Sequence, residues 1–533
     1  MKHLIRLLLF IVLFASVCSL DRSVPDCAIM GKWVGAGVAA LVSILVISIT
    51  ALFTDSYKDR KTIRARDMSW AFALAGVAVL VHCVLQLSGF LKHTNGGGAG
   101  VYAAVADFDN PAGVAAALTV CLPFMTVKAA GSKHPILFTW VLMTVFLLSV
   151  TLMVLIGSRA GLISIGTVLF LYLTEGINNR KAKRLLLIAA VIIVATVAVV
   201  LTVHKRASST GRMLILNVCW DMIKESPLLG HGMHGFRSQY MNFQALYLDS
   251  CRSEVMGMLA DNVTHPLNEY VLLAVNFGII GVTVIIGIAV IIVRYCLKHP
   301  SRDGFIGLSV MAGIAVLALF SYPFRYPLTS VALACALLLV FREPLGRLTD
   351  RYGKVVCSVS AVMSTVGLAL FLPWAASQHR WGKVLLSAGF DNNPKGLIEV
   401  YESLYKRLGK DPYFLYSYAY VLSEAGDTAK AVETAYRSYG LMANYDTALF
   451  LADQESLRGR KEDAERLYRL AASMCPVRFA PLYGLFCLYE EQGRFDEMKS
   501  MGQAILRKRI KVQSAQVSRI RLAVRQRMMM NNL

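Results

Sequence analysis

Runs of about 20 apolar residues recur along the first 376 residues of this chain, and a run of that length spans a bilayer as a helix. Helix is the form such a run must take there, because lipid offers its peptide groups no hydrogen-bond partner. About eleven such runs are present, near 3–20, 31–53, 70–91, 112–130, 135–157, 160–176, 185–203, 270–293, 304–321, 328–341 and 355–376. Hydrophobic residues make up 56% of the 533, and mean hydropathy is +0.54. A water-soluble fold has no place for that apolar excess. The expected fold class is all-α: a polytopic membrane helix bundle, residues 1–376, followed by a helical repeat solenoid, residues 377–533.

The formal charge of +21 is distributed by topology. Basic residues cluster in every second connection: Lys58, Arg60, Lys61, Arg64 and Arg66; Lys128 and Lys133; Arg180, Lys181, Lys183 and Arg184; Arg294, Lys298 and Arg302; Arg342, Arg347, Arg351 and Lys354. That alternation marks cytoplasmic loops rather than a nucleic-acid surface. The N-terminus, with Lys2 and Arg6, is then inside, and the loop 204–264 and the C-terminal repeats are outside. Residues 1–20 also read as a signal peptide with cleavage after Ser19. The eleven cysteines include no CxxC pair and no metal-ligand spacing. Cys219 and Cys251 share the outer loop, and whether they pair stays open.

Beyond Ser377 the composition turns polar. Gly389, Gly426, Gly459 and Gly493 recur at spacings of 37, 33 and 34, each between two helical patterns. A helix–turn–helix period of about 34 resembles the tetratricopeptide repeat. Such repeats stack into a superhelix whose concave face takes a protein partner, or they serve as a support for the membrane part. The basic end, Arg507 to Arg527, caps the stack or lies against anionic headgroups.

The chemistry concentrates around the polar loop 204–264, which opens on His204, Lys205 and Arg206. Cations and a histidine at a membrane face suit an anionic, lipid-linked substrate. Gly157-Ser158-Arg159 places an arginine at the outer end of a span, where it can hold a phosphate or simply snorkel. Arg212 is followed fifteen residues later by Pro227, then Gly230-His231-Gly232. Between them Met213, Ile215, Leu216, Val218, Cys219, Trp220 and Met222 fit a helix lying along the membrane. Arg212 is expected at that helix's N-terminus, where the free N–H groups also favour an anion. His265-Pro266-Leu267-Asn268-Glu269 leads into a span containing Gly278 and Gly281. With Pro266 starting that helix, His265 is its cap residue, and its imidazole is also a candidate base. Glu269 and His231 are reserve bases. Asp107 and Asp109 precede Asn110-Pro111 at another span start, a segment read as structural with an outside possibility of acceptor binding. His82 is read as a packing histidine.

These motifs resemble the O-antigen ligase and polymerase superfamily over roughly residues 70–345, most closely at 157–163 and 211–281. The family pattern includes a Ser-Arg element, Pro-Leu-Leu-Gly-x-Gly, and His-Asn followed nine residues later by Gly-x-x-Gly. Here Leu267 stands where the pattern has histidine, and His265 is two residues earlier. The resemblance implies a multi-pass protein of the bacterial inner membrane. It would move a glycan from undecaprenyl pyrophosphate to an acceptor glycan, glycolipid or protein on the periplasmic face, with inversion and without metal or cofactor. Arg159 and Arg212 would neutralise the pyrophosphate, and His265 would deprotonate the acceptor. Gly230, His231, Gly232, Asn268 and Glu269 would line the substrate. A polymerase of the same superfamily shares every feature. A non-catalytic scaffold built on the repeats, and a lipid-linked glycan flippase, are the other classes. Spans almost free of charge argue against the flippase.

Overall fold

The computed structural model describes residues 2–19, 21, 23–55, 64–92, 104–130, 135–175, 181, 206–251, 253–387 and 394–531. The expected span 185–203, the basic residues Lys58, Arg60, Lys61, Lys133, Arg180, Lys183 and Arg184, and His204, Lys205 and Gly389 lie outside those residues. Among the described residues every regular element is a helix. Six are long and apolar enough to cross a membrane: Met30–Phe53, Ala65–Leu87, Ile136–Leu155, Glu269–Lys298, Arg302–Phe320 and Arg342–Leu386. Pro111–Val127 and Pro327–Val340 are shorter apolar helices, and Lys2–Cys18 and Arg159–Glu175 have 17 residues each. The chain is a multi-pass membrane protein.

The contacts divide it into two compact units. One comprises Met1–Val203, Leu267–Glu269 and Ile285–Leu386; the other His204–Pro266, Tyr270–Val284 and Ser387–Leu533. The loop 204–266 is therefore built together with the helical repeats.

In the first unit Pro111–Ala130 is central, with Val114 to Phe124 buried throughout. Small residues let its neighbours close in, as helix contacts in lipid require. Ser164 Oγ, for example, donates to the Gly313 carbonyl at 2.7 Å. Polar contacts close both ends of the bundle. At one end Arg6 pairs with Asp67 at 2.6 Å, and Asp303 accepts from the Ala65 N–H and pairs with Arg342. At the other, Arg325 reaches Asp109 at 3.2 Å and Asp26 at 3.5 Å, and Tyr326 donates to Asp109 at 2.9 Å. Asn110 caps Pro111–Ala130 through the Ala112 N–H at 2.8 Å, in keeping with the structural reading of Asn110-Pro111. His82, read as a satisfied packing histidine, has its Nδ1 3.6 Å from an Asp107 carboxylate oxygen and its Nε2 3.3 Å from the Gln86 amide nitrogen. Lys32, fully buried, donates to the Asp107 carbonyl at 2.8 Å. Gln86 accepts from the N–H groups of Val105 (3.0 Å) and Ala106 (2.8 Å) and donates to the Ala106 carbonyl (2.9 Å). It thereby ties down a turn in which Ala106 has φ 49°.

In the second unit the repeats are successive helix pairs: Pro412–Glu424 with Thr428–Leu441, Tyr445–Leu457 with Lys461–Met474, and Ala480–Glu491 with Phe495–Arg507. Each first helix ends in the same turn. Gly426, Gly459 and Gly493 have positive φ, and the residue after each donates back five positions, as in Asp427 to Leu422 at 3.0 Å. The glycine period in the sequence is the period of these helix stops. All eleven cysteines are free. Cys219 is buried within the helix Arg206–Glu225, and Cys251 is exposed at the end of Gly235–Cys251.

Candidate functional site

Of the candidate residues, the first unit contains Arg159, Asn268 and Glu269, and the second contains Arg212, Gly230, His231, Gly232 and His265. Arg159 opens the helix Arg159–Glu175, and the Ser158 hydroxyl accepts from the Gly161 N–H at 3.3 Å. A Cβ on Gly161 would come within 2.9 Å of Ala115, so this small residue serves helix packing. Asn268 donates to the Leu319 carbonyl at 2.9 Å, and Glu269 begins the next helix.

Two expectations about position change. The loop helix begins at Arg206, so Arg212 sits six residues inside it and gains nothing from free N–H groups at a helix start. The helix after His265 begins at Glu269 rather than Pro266, so His265 is not a cap residue. It lies in a stretch without regular secondary structure, and two residues on Leu267 has φ 58°, which for leucine is strained.

The loop helix Arg206–Glu225 is two-faced, as its spacing predicts. Leu214, Val218, Cys219 and Met222 are buried, while Met213, Leu216 and Trp220 form an exposed apolar stripe. Leu228, Leu229 and Met233 continue the exposed apolar surface beyond the helix.

The Pro-Leu-Leu-Gly-His-Gly segment meets a break in the helix Glu269–Lys298. Gly278 there has φ 60° and ψ −161°, which interrupts the helical hydrogen bonds. The segment replaces them: His231 N–H donates to Val275 O and Gly232 N–H to Asn276 O, both at 2.9 Å, and Ile279 N–H donates to Pro227 O at 2.9 Å. Gly230 (φ 67°) approaches so closely that a Cβ would stand 2.5 Å from the Asn276 carbonyl carbon. Asn276 is buried, accepting from Phe236 N–H at 3.0 Å and donating to Met233 O at 3.1 Å. His231 Nε2 lies 2.8 Å from Met222 O, and because a carbonyl only accepts, that nitrogen carries the proton. Gly230, His231 and Gly232 thus hold the loop onto the broken helix, and among these three the Cβ position of Gly232 alone is seen to face open space.

The segment before His265 is held as tightly. Gln244, fully buried, donates to Asp261 O at 3.1 Å and to Met474 O at 2.8 Å. Asn262 accepts from Tyr445 N–H at 3.0 Å and donates to Asp446 at 2.8 Å; Arg478 reaches Asp261 at 3.1 Å. A groove of about 890 Å³ opens nearby, lined by Leu248, Met258, Pro476 and Leu482. Arg507, Lys508 and Arg509 line it together with Asp249 and Glu254, so it carries both signs of charge.

Asn276, Gln244 and Asn262 were not singled out from sequence. Asn276 had a signal, a lone amide in an apolar helix; the other two sit in polar stretches and had none. Among the described residues no group of three or more His, Cys, Asp or Glu is arranged to hold a metal ion.

A family model described as O-Antigen ligase matches residues 144–286. The matched stretch is narrower than the resemblance read from sequence, yet it contains Arg159, Arg212, the 226–232 segment, His265, Asn268, Glu269 and Gly278. No curated protein and no solved structure matches this chain.

Proposed function

Because the chain carries an O-antigen ligase domain over residues 144–286, we propose that its membrane glycosyl-transfer chemistry is that of a ligase using undecaprenyl pyrophosphate-linked glycan. The acceptor is a sugar of a glycolipid or glycan, or a protein. The sugar–phosphate bond of the donor breaks as the acceptor oxygen attacks the anomeric carbon from the opposite face. The departing pyrophosphate needs fixed positive charge, which Arg159 and Arg212 supply. The acceptor hydroxyl loses its proton to the imidazole of His265. In this reading Asn268 and Glu269 are further substrate contacts. The chain sits in the bacterial inner membrane with its basic connections cytoplasmic, which puts the loop and repeats in the periplasm. The stripe Met213, Leu216 and Trp220 then rests on the membrane surface where a lipid-linked donor arrives.

The observation that carries this reading is the match that spans every candidate residue. The test is complementation of a deletion strain with Arg212→Ala and His265→Ala at matched membrane levels, read as surface glycan on gels. Loss with both variants is expected. Wild-type glycan from both would leave the scaffold reading standing instead. A product ladder of repeat units, rather than a single capped species, would assign the polymerase reaction of the same superfamily.

A further inference from the structure

Three direct contacts and one bridge through Gln244 join the repeats to the chain just ahead of His265, and all lie within one compact unit. Asp261 takes Arg478 on its carboxylate and Gln244 on its carbonyl, and Gln244 is fixed to the C-terminal end of a repeat helix through Met474 O. Asn262 makes a paired contact, its oxygen to Tyr445 N–H and its amide to the Asp446 carboxylate. Val263 N–H donates to the Met241 sulfur at 3.5 Å. His265 follows two residues later, and the strained Leu267 stands beyond it. A residue outside any helix takes part of its position from what grips its chain neighbours.

We propose that the repeats are part of the catalytic apparatus: Tyr445, Asp446, Met474 and Arg478 fix residues 261–262 and thereby place the imidazole of His265. Asn262, Gln244 and Asp446 are positioning residues, and the inference rests on His265 being the base. The repeats need no partner protein for this role.

The reciprocal exchange at positions 262 and 446 tests it in the full chain. Asn262→Asp sets two carboxylates against each other. Adding Asp446→Asn restores a donor at 446 and leaves an acceptor for Tyr445 N–H. Surface glycan in the deletion strain, at matched membrane levels, is expected to fall about tenfold or more with N262D, since misplacing a catalytic group by an ångström is that costly. The double exchange should return it to within about twofold. On purified protein the rate of His265 modification by diethyl pyrocarbonate, read by mass spectrometry, should shift with N262D and revert in the double variant. A support role alone would change the melting temperature without moving that rate. Wild-type glycan from N262D, or no recovery on exchange, overturns the coupling while leaving a dead His265→Ala intact. Glycan retained by His265→Ala removes the reading beneath it.

Discussion

Replacing Gly278 by alanine should separate the broken helix from the loop that repairs it. At φ 60° and ψ −161° only glycine is comfortable, and a side chain there costs about 1–3 kcal/mol. The new Cβ would also press on the Leu228 carbonyl and stand 2.7 Å from the Pro227 oxygen. Pro227 and Leu228 accept from Ile279 and Ile280, so relieving the clash costs one or both bonds, about 1–3 kcal/mol for a donor left unpaired. Together, with one bond lost, the cost is about 2–6 kcal/mol, or about thirtyfold to about twenty-thousandfold in the population of the closed clamp. Gly287 provides the control on the same helix. Its Cβ position is open and its backbone helical, so Gly287→Ala should be neutral or gain up to about 1 kcal/mol. Both variants would be purified in detergent and followed by thermal unfolding and by hydrogen exchange at residues 275–280. Fast exchange there, a lowered melting temperature and lost surface glycan are expected for Gly278→Ala only. Wild-type protection of Ile279 in Gly278→Ala, or equal damage from Gly287→Ala, would refute the clamp.

Two further expectations concern other parts of the molecule. Gln86→Leu removes three hydrogen bonds from the Val105–Ala106 turn and strands buried backbone groups, so the purified protein should lose at least about 3 kcal/mol in thermal or denaturant unfolding; unchanged stability would mean the turn is held by packing alone. In the repeats, burial alone would raise the Glu465 carboxyl, but hydrogen bonds from Arg494, Arg469 and Tyr489 outweigh it and hold it down at about 2. Its stabilising contribution is therefore complete above the ordinary value of 4.5 and is lost as pH falls from there toward about 2. Melting curves across that window should flatten in Glu465→Gln.

The spans were legible because lipid imposes one rule on every apolar run, and the repeat hairpins because each needs a glycine at its stop. The loop helix was legible only in part. Its apolar positions showed the buried face, but the helix runs back to Arg206 through a polar stretch without that apolar spacing, ahead of the arginine that the family pattern places at its start. Gly278 and Gly281 stood out in sequence only by the Gly-x-x-Gly spacing of the family pattern. That Gly278 breaks the helix and receives the 227–232 segment depends on residues fifty positions apart, which no local pattern encodes. The grip of Gln244 and Asn262 on the repeats is more distant still, spanning about two hundred residues. What the sequence motif read as a substrate contour is, in Gly230 and His231, a seam between two parts of the chain.

The free thiols give the molecule a built-in marker of sidedness. Within the loop unit Cys251 is exposed while Cys219 and Cys475 are buried. Cys487, the fourth cysteine of that unit, is half-buried against Arg527, so an impermeant maleimide added to intact spheroplasts reacts first with Cys251, the labelled site being read by mass spectrometry. The compartment from which Cys251 is labelled is the compartment in which the loop and the repeats reside, read out on the native chain with no tag inserted.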